Sequence, residues 1–244
     1  GPIRPLHAPP SGLTVPAPPP EAAANEFDQW ADAGRAASMA DGHGGVTRQT
    51  LDRWTLSTHD TVLDVGCGNG WAVREMLTRG AGQGIGVDLS PKMIALARAE
   101  RLAGEQSTFH VAPADGLPVA DGTVTHTLNV ESIYYYPDPA GAVREWARVS
   151  APGGRLAVLV DLYAENPATH CWIDALDVAV HLLSADDLAT MLSEAGWRDV
   201  WAEQIVDPRP ITPQSEFSLS KYWPSYAAYL EYRETGALVV HGTR

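Results

Sequence analysis

Only two cysteines, Cys67 and Cys171, occur in the 244 residues. Two cannot build a disulfide framework, and without a CxxC pair or a Cys/His cluster no metal site is expected. Basic residues are also scarce: 17 Lys and Arg stand against 30 Asp and Glu, a net charge of −13. Attachment to nucleic acid or an anionic membrane through overall charge is thereby disfavoured, since such surfaces need a net basic face. No apolar run approaches the roughly 20 residues that cross a bilayer. Nor does a charged start lead into an apolar stretch and a cleavage site, as a secretion signal would. No self-similarity at 20- to 50-residue spacing suggests a repeat array. The expectation is an acidic globular protein of the cytoplasm, long enough for one domain with a sizeable core.

Residues 1–20 hold eight of the 19 prolines and read as an extended or disordered leader, Gly1-Pro2 having the look of a tag remnant. The rest, 21–244, reads as one domain with a helical cap over 21–56. In that cap a helix runs from Glu21 to about Ala40, interrupted at Gly34. Asp41-Gly42-His43-Gly44-Gly45 reads as a flexible turn, and a second helix covers Thr47 to Leu56. From 60 to 206 strand-like and helix-like segments alternate: strands at Thr61–Val65, Ile85–Leu89, Thr108–Val111, Val124–Val130 and Leu156–Val160, with helices between. Ser90-Pro91 and Asp138-Pro139 each supply an N-cap followed by a proline suited to the first helical turn. Pro152-Gly153-Gly154 reads as the turn before the fifth strand. Ser184 and Asp187 form a capping-box-like start for a helix that Gly196 ends. Residues 207–235 form an aromatic insertion with Phe217, Tyr222, Trp223, Tyr226, Tyr229 and Tyr232, and 236–244 the last strand. The β-α-β alternation predicts an α/β fold, a doubly wound parallel sheet with helices on both faces.

The first strand runs into Asp64-Val65-Gly66-Cys67-Gly68-Asn69-Gly70. Glycines at alternate positions let the backbone turn tightly and let a ligand approach without meeting a Cβ. Asp88 ends the second strand, 18 residues after Gly70, where a carboxylate can accept bonds from both hydroxyls of a ribose. A nicotinamide dinucleotide site would need GxGxxG spacing, and this chain has GxGxG. That pattern resembles the first motif of the class I S-adenosylmethionine-dependent methyltransferases. The resemblance extends over roughly residues 60–200: Val87-Asp88-Leu89-Ser90 with Met93 looks like the second motif, and Ala114-Asp115-Gly116-Leu117-Pro118 like the adenine-contacting segment.

The resemblance implies a mostly parallel seven-stranded sheet with an antiparallel last strand, and S-adenosylmethionine as cofactor with S-adenosylhomocysteine as product. It places Gly66, Cys67, Gly68 and Gly70 under the methionine portion, and Asp88 on the ribose. Leu89 and Met93 would pack against adenine, Asp115 would accept its amino group, and Ala114 and Gly116 would adjoin it. The backbone of Asn129 would lie near the sulfonium, Arg35 would pair with the cofactor carboxylate, and Asp64 would steady the loop or reach the cofactor's amino group through water. Cys67 reads as a small packing residue.

Methyl transfer needs alignment of acceptor and methyl carbon, and removal of a proton where the acceptor carries one. Three segments qualify to provide this. The N-terminal helix offers Trp30 and Met39 as pocket walls and, beyond it, His43. After strand four come Glu131 and three consecutive tyrosines, of which Tyr134 and Tyr135 are assigned to the pocket; an aromatic wall suits a planar or a cationic acceptor. The substrate loop 162–183, just after Asp161, carries Tyr163, Trp172 and two candidate bases, His170 and His181. Glu131 with Asp161 resembles the acidic set with which catechol-type methyltransferases hold magnesium, but the Asp-Asn pair is missing, because Leu162 follows Asp161. His126, inside strand four, reads as a buried structural histidine. The reading is methyl transfer to an O, N or C nucleophile of a small molecule by in-line displacement, with a homodimer compatible. The alternative is a non-catalytic module that binds S-adenosylmethionine as a regulatory ligand.

Overall fold

The computed structural model describes residues 20–32, 35–176 and 178–244, with side chains from residue 24 in the first helix and from residue 39 in the second. The proline-rich leader, save Pro20, and the side chain of Arg35 lie outside the described residues. Seven strands form one sheet in the order β3-β2-β1-β4-β5-β7-β6. They are β1 (Thr61–Val65), β2 (Gln83–Asp88), β3 (Ser107–Val111), β4 (Val124–Val130), β5 (Ser150–Val160), β6 (Arg198–Ile205) and β7 (Ala237–Thr243). The first five pair in parallel, whereas β7 runs antiparallel to both β5 and β6. The helices are α1 (Pro20–Asp32), α2 (Arg35–Leu51), α3 (Trp71–Thr78), α4 (Pro91–Ala99), α5 (Pro139–Val149), α6 (Cys171–Ala175), α7 (Ala185–Glu194) and α8 (Tyr226–Thr235).

Alternation along the strands sorts the core into two layers. Leu63, Val65, Leu156, Val158 and Val160 face a layer that includes Val143 and Trp146 of α5 and Leu188 and Leu192 of α7. Val62, Leu128, Ala157 and Leu159 face the other, with Leu51 of α2 and Met76 of α3. Both faces of the central strands are covered, hence their unbroken apolar runs. The caps form as their residue types require: Ser90 Oγ accepts from Met93 N at 3.1 Å and Asp138 Oδ1 from Gly141 N at 2.8 Å. Ser184 and Asp187 complete a reciprocal capping box. His126 is buried, its Nδ1 2.9 Å from Thr125 Oγ1 and its ring against Trp54.

Two local expectations fail for tertiary reasons. The Asp41–Gly45 segment is not a turn: α2 runs through it to Leu51, and the helix expected over Thr47–Leu56 is only the end of α2. Each glycine costs a helix interior about 1 kcal/mol. Here, however, Gly42 O accepts from Arg209 Nη2 at 2.9 Å, and a Cβ on Gly45 would stand 2.8 Å from Pro208 Cδ. Gly45 lets the helix lie against the segment after β6. Likewise Pro152-Gly153-Gly154 belongs to β5 rather than to a turn, held to the chain end by Gly153 N to Arg244 O and Arg244 N to Gly154 O, both 2.7 Å.

Because β2 and β4 flank β1 on opposite sides, the connections leaving β1 and β4 diverge and open a crevice at the carboxyl ends of the strands.

Candidate active site

The loop after β1 is fastened to β2 by its backbone. Gly66 N and Cys67 N both donate to Val87 O, at 2.7 and 3.0 Å, and Gly68 N donates to Asp88 Oδ2 at 2.9 Å. The other carboxylate oxygen of Asp88 accepts from Ser90 N at 2.9 Å, so this side chain ties the loop to the start of α4. The glycines serve different ends. Gly66, at φ 79°, lies under Ser132, whose Oγ would stand 2.3 Å from a Cβ. Gly68, at φ 52°, has open space where its Cβ would be, with Met93 Sδ 4.0 Å away the nearest atom. A bare backbone therefore faces the crevice at Gly68. Gly70, assigned to the ligand from sequence, instead packs beneath Phe109 and does not line the crevice.

Asp64, Gly66, Cys67, Gly68, Asp88, Leu89, Met93, Ala114 and Asp115 all line this crevice. Gly116 and Asn129 do not. Asn129 is fully buried and donates through Nδ2 to Val65 O at 2.8 Å, bracing the strand end from behind. Asp64 is 2% exposed and its Oδ1 has no partner. Burial, reinforced by the charge of Asp88, pushes its carboxyl up to about 8. Burial likewise pushes the Cys67 thiol up, which suits a packing residue. Helix α1 roofs the crevice: Phe27 and Trp30 sit edge-on to Tyr135 with centroids 5.2 and 5.8 Å away, and Asp28 accepts from Ser90 Oγ and Lys92 N.

Trp30, Met39, His43, Glu131 and Tyr135 also line a second cavity, continuous with the first. Its remaining wall comes from Tyr134, Trp172 and the 207–235 segment, through Arg209, Tyr222, Trp223, Tyr229, Tyr232 and Arg233. At the junction His43 Nδ1 lies 3.1 Å from Asp161 Oδ2, which also accepts from Tyr232 OH at 3.0 Å. Glu131, at φ 53°, turns its buried carboxylate to accept from Asp161 N at 2.5 Å and Tyr134 OH at 2.8 Å. Burial works to lower the His43 imidazole, but Glu131 and Asp161 outweigh it and hold it near about 9. Burial and the neighbouring Asp161 push Glu131 up to about 8. One ligand atom from each of His43, Glu131 and Asp161 falls within 4.8 Å of the others, the spacing of a metal set, although protein donors already engage both carboxylates.

The two favoured bases lie elsewhere. His170 opens α6 with Nε2 3.2 Å from Tyr163 O, and His181 holds Tyr136 O at 2.9 Å; neither lines a cavity. Both are spent on chain carbonyls, that of Tyr163 also accepting from Asn166 N at 3.0 Å. Tyr163, expected in the pocket, is 1% exposed and donates to Gly236 O at 3.0 Å. Asp161 lies behind the pocket, acting on His43 rather than lining it. All three consecutive tyrosines border a cavity, Tyr134 the second, Tyr136 the first and Tyr135 both. Sequence reading took the insertion, with the other aromatic segments, as favouring a closed, partly apolar acceptor pocket without naming its lining residues; Arg209 and Arg233 gave no signal.

Comparison with known proteins agrees with this geometry. Residues 63–158 match the family model described as a methyltransferase domain. A 185-residue stretch is 30% identical to 27-O-demethylrifamycin SV methyltransferase of Amycolatopsis mediterranei, covering 72% of this chain and 67% of that one. Tocopherol O-methyltransferase of Arabidopsis thaliana is 32% identical over 164 residues, 59% of this chain and 47% of the relative. The chain spans about half the length of the first curated relatives, 57% and 47%. A chain in the Haloferax volcanii complex between the Trm112 methyltransferase activator and a methyltransferase superposes with a TM-score of 0.82 at 33% identity, covering 89% of this chain and 97% of that one. The chain belongs to the class I S-adenosylmethionine-dependent methyltransferases. The residues present fit that cofactor: the backbone at Gly68 leaves a cradle that a side chain would fill, and the orphaned carboxylate oxygen of Asp64 awaits a cationic donor.

Proposed function

We propose that this protein methylates a hydroxyl group of a small molecule held in the second cavity, with His43 as the base. The observation that carries this reading is the position of the His43–Asp161 pair, at the junction of the two cavities. The bound donor supplies an electrophilic methyl group on a sulfonium. Asp88 holds the donor's ribose hydroxyls, and Leu89, Met93 and Asp115 border its adenine. Asp64 takes its ammonium, where a charge-assisted bond favours the ionised carboxylate that burial alone holds protonated. Held at about 9, His43 is largely protonated at neutral pH and acts as the base through its neutral fraction, in which Asp161, fixed by Tyr232, keeps the proton on Nδ1 and leaves Nε2 to take the acceptor's. Trp30, Met39 and Tyr135 close the junction against water, which aids alignment. The O-methyltransferases among the relatives support the choice of oxygen as nucleophile.

The test is to screen small-molecule extracts with labelled methyl donor and then measure His43→Asn on the acceptor found. Turnover should fall by roughly 100-fold or more, as for loss of a general base, while affinity for S-adenosylhomocysteine is kept. Donor binding with no methylated product from any extract would instead mark a regulatory binding module.

A further inference from the structure

An aromatic wall alone accommodates a flat guest or a cation. The structure separates the two through the charges set among the rings. Trp172 and Trp223 meet edge to face with centroids 5.2 Å apart, and Tyr232 lies 4.8 Å from Trp223 and 5.7 Å from Trp172. Between these rings and His43 the described polar lining is predominantly basic: Arg209, Arg233 and His43 itself. The two arginines share one nearby carboxylate, Asp207, at 2.6 Å from Arg209 and 3.9 Å from Arg233, and Asp207 does not line this cavity. The single acid that does, Glu131, already accepts from Asp161 N and Tyr134 OH. Among the described residues, then, no carboxylate free of protein donors lines this cavity to meet a guest ammonium. Arg209 bonds Asp207 and Gly42 O, and Arg233 bonds chain carbonyls and Tyr229 OH, yet both guanidinium groups keep their positive charge at the cavity wall beside His43.

We infer that the acceptor is an acidic hydroxyl on a flat ring system, a phenol or a ring-conjugated enol, taken up as its oxyanion opposite His43 and Arg209. This rests on the methyl-transfer reading above. In the neutral fraction of His43 the acceptor's proton passes to Nε2, the ring nitrogen not engaged by Asp161, and the imidazolium so formed stays beside the oxyanion. The oxygen lone pair forms the new O–C bond as the methyl C–S bond breaks, and the electrons of that bond remain on sulfur. The proton then leaves His43 for water. A phenol, titrating near about 10, is matched to an imidazole held near about 9, and a saturated alcohol is far too weak an acid.

Three probes of similar size, two flat and one saturated, test this: 2-naphthol, 2-naphthylmethylamine and decahydro-2-naphthol, titrated into the full chain saturated with S-adenosylhomocysteine. Naphthol should bind at least tenfold more tightly than either other compound, and its bound absorption at pH 7 should be that of naphtholate. Arg209→Gln and His43→Gln should each weaken naphthol tenfold or more and leave S-adenosylhomocysteine affinity unchanged. Equal or tighter binding of the amine, a bound naphthol that stays neutral, or binding of none of the three overturns the inference. Labelled methyl donor separates it from the reading it rests on. Methyl transfer to the amine or the saturated alcohol but not to naphthol sinks the acceptor class and spares methyl transfer. Tight naphtholate binding, with no methyl transfer to it or to any acceptor from extracts, does the reverse.

Discussion

Replacing Asp64 by Asn should strengthen the free protein in alkali and weaken its hold on the donor. Asp64 is 2% exposed, lacks a partner for Oδ1 and titrates at about 8 instead of 3.8. Since its folded value is raised, the folded state keeps the proton more firmly than the unfolded chain does. The stability this group contributes is complete below pH 3.8 and is lost as pH rises through about 8. At ~1.4 kcal/mol per pH unit, the interval between the two values sets a ceiling on the order of 6 kcal/mol. Asparagine has the same shape and no charge to bury, so at pH 9 the free variant should melt about 5 °C or more above the wild type, given ~2–4 °C per kcal/mol for a chain this long. Glu131 and His43, held near about 8 and 9, titrate in the same direction, but both remain in the variant and cancel in the difference. Binding should move the other way. A charge-assisted bond to the ammonium contributes ~1.5–3 kcal/mol, so affinity for S-adenosylhomocysteine should drop about 10- to 150-fold. Thermal melts from pH 6 to 9.5 (window set to bracket about 8) and titration calorimetry measure both effects. Parallel melting profiles for the two proteins, or undiminished affinity, would refute the assignment of Asp64.

Gly45→Val should lower Tm by several degrees, because its side chain meets Pro208 where α2 lies on the segment after β6; an unchanged melt would show that contact to be dispensable. His170→Ala should retain turnover within about twofold on an identified acceptor, its imidazole being engaged by Tyr163 O away from both cavities; a 100-fold loss would restore it as the base. Exhaustive chelation should leave turnover unchanged, since protein donors already engage Glu131 and Asp161. A loss restored by magnesium or zinc would reassign His43, Glu131 and Asp161 as metal ligands.

The sheet was legible in the chain because its signals are local. β1 and β4 were bounded residue for residue, and the caps at Ser90, Asp138 and Ser184 announced helices through side chains that satisfy their own backbone. The first crevice was legible for a related reason: the loop, Asp88 and Asp115 sit at strand ends in fixed order, so spacing along the chain translates directly into position. The second cavity follows no such rule. It joins His43 of α2, Glu131 after β4 and Arg209, Trp223 and Tyr232 of a late insertion, residues brought together only when the sheet closes and α2 docks. Helical structure through Gly42–Gly45 depends on Pro208 and Arg209, more than 160 positions away, so no local propensity could reveal it. The choice among three histidines was likewise a tertiary matter. Chemistry makes any imidazole a candidate base, but packing spends His170 and His181 on backbone carbonyls and sets His43 against a buried carboxylate beside open space.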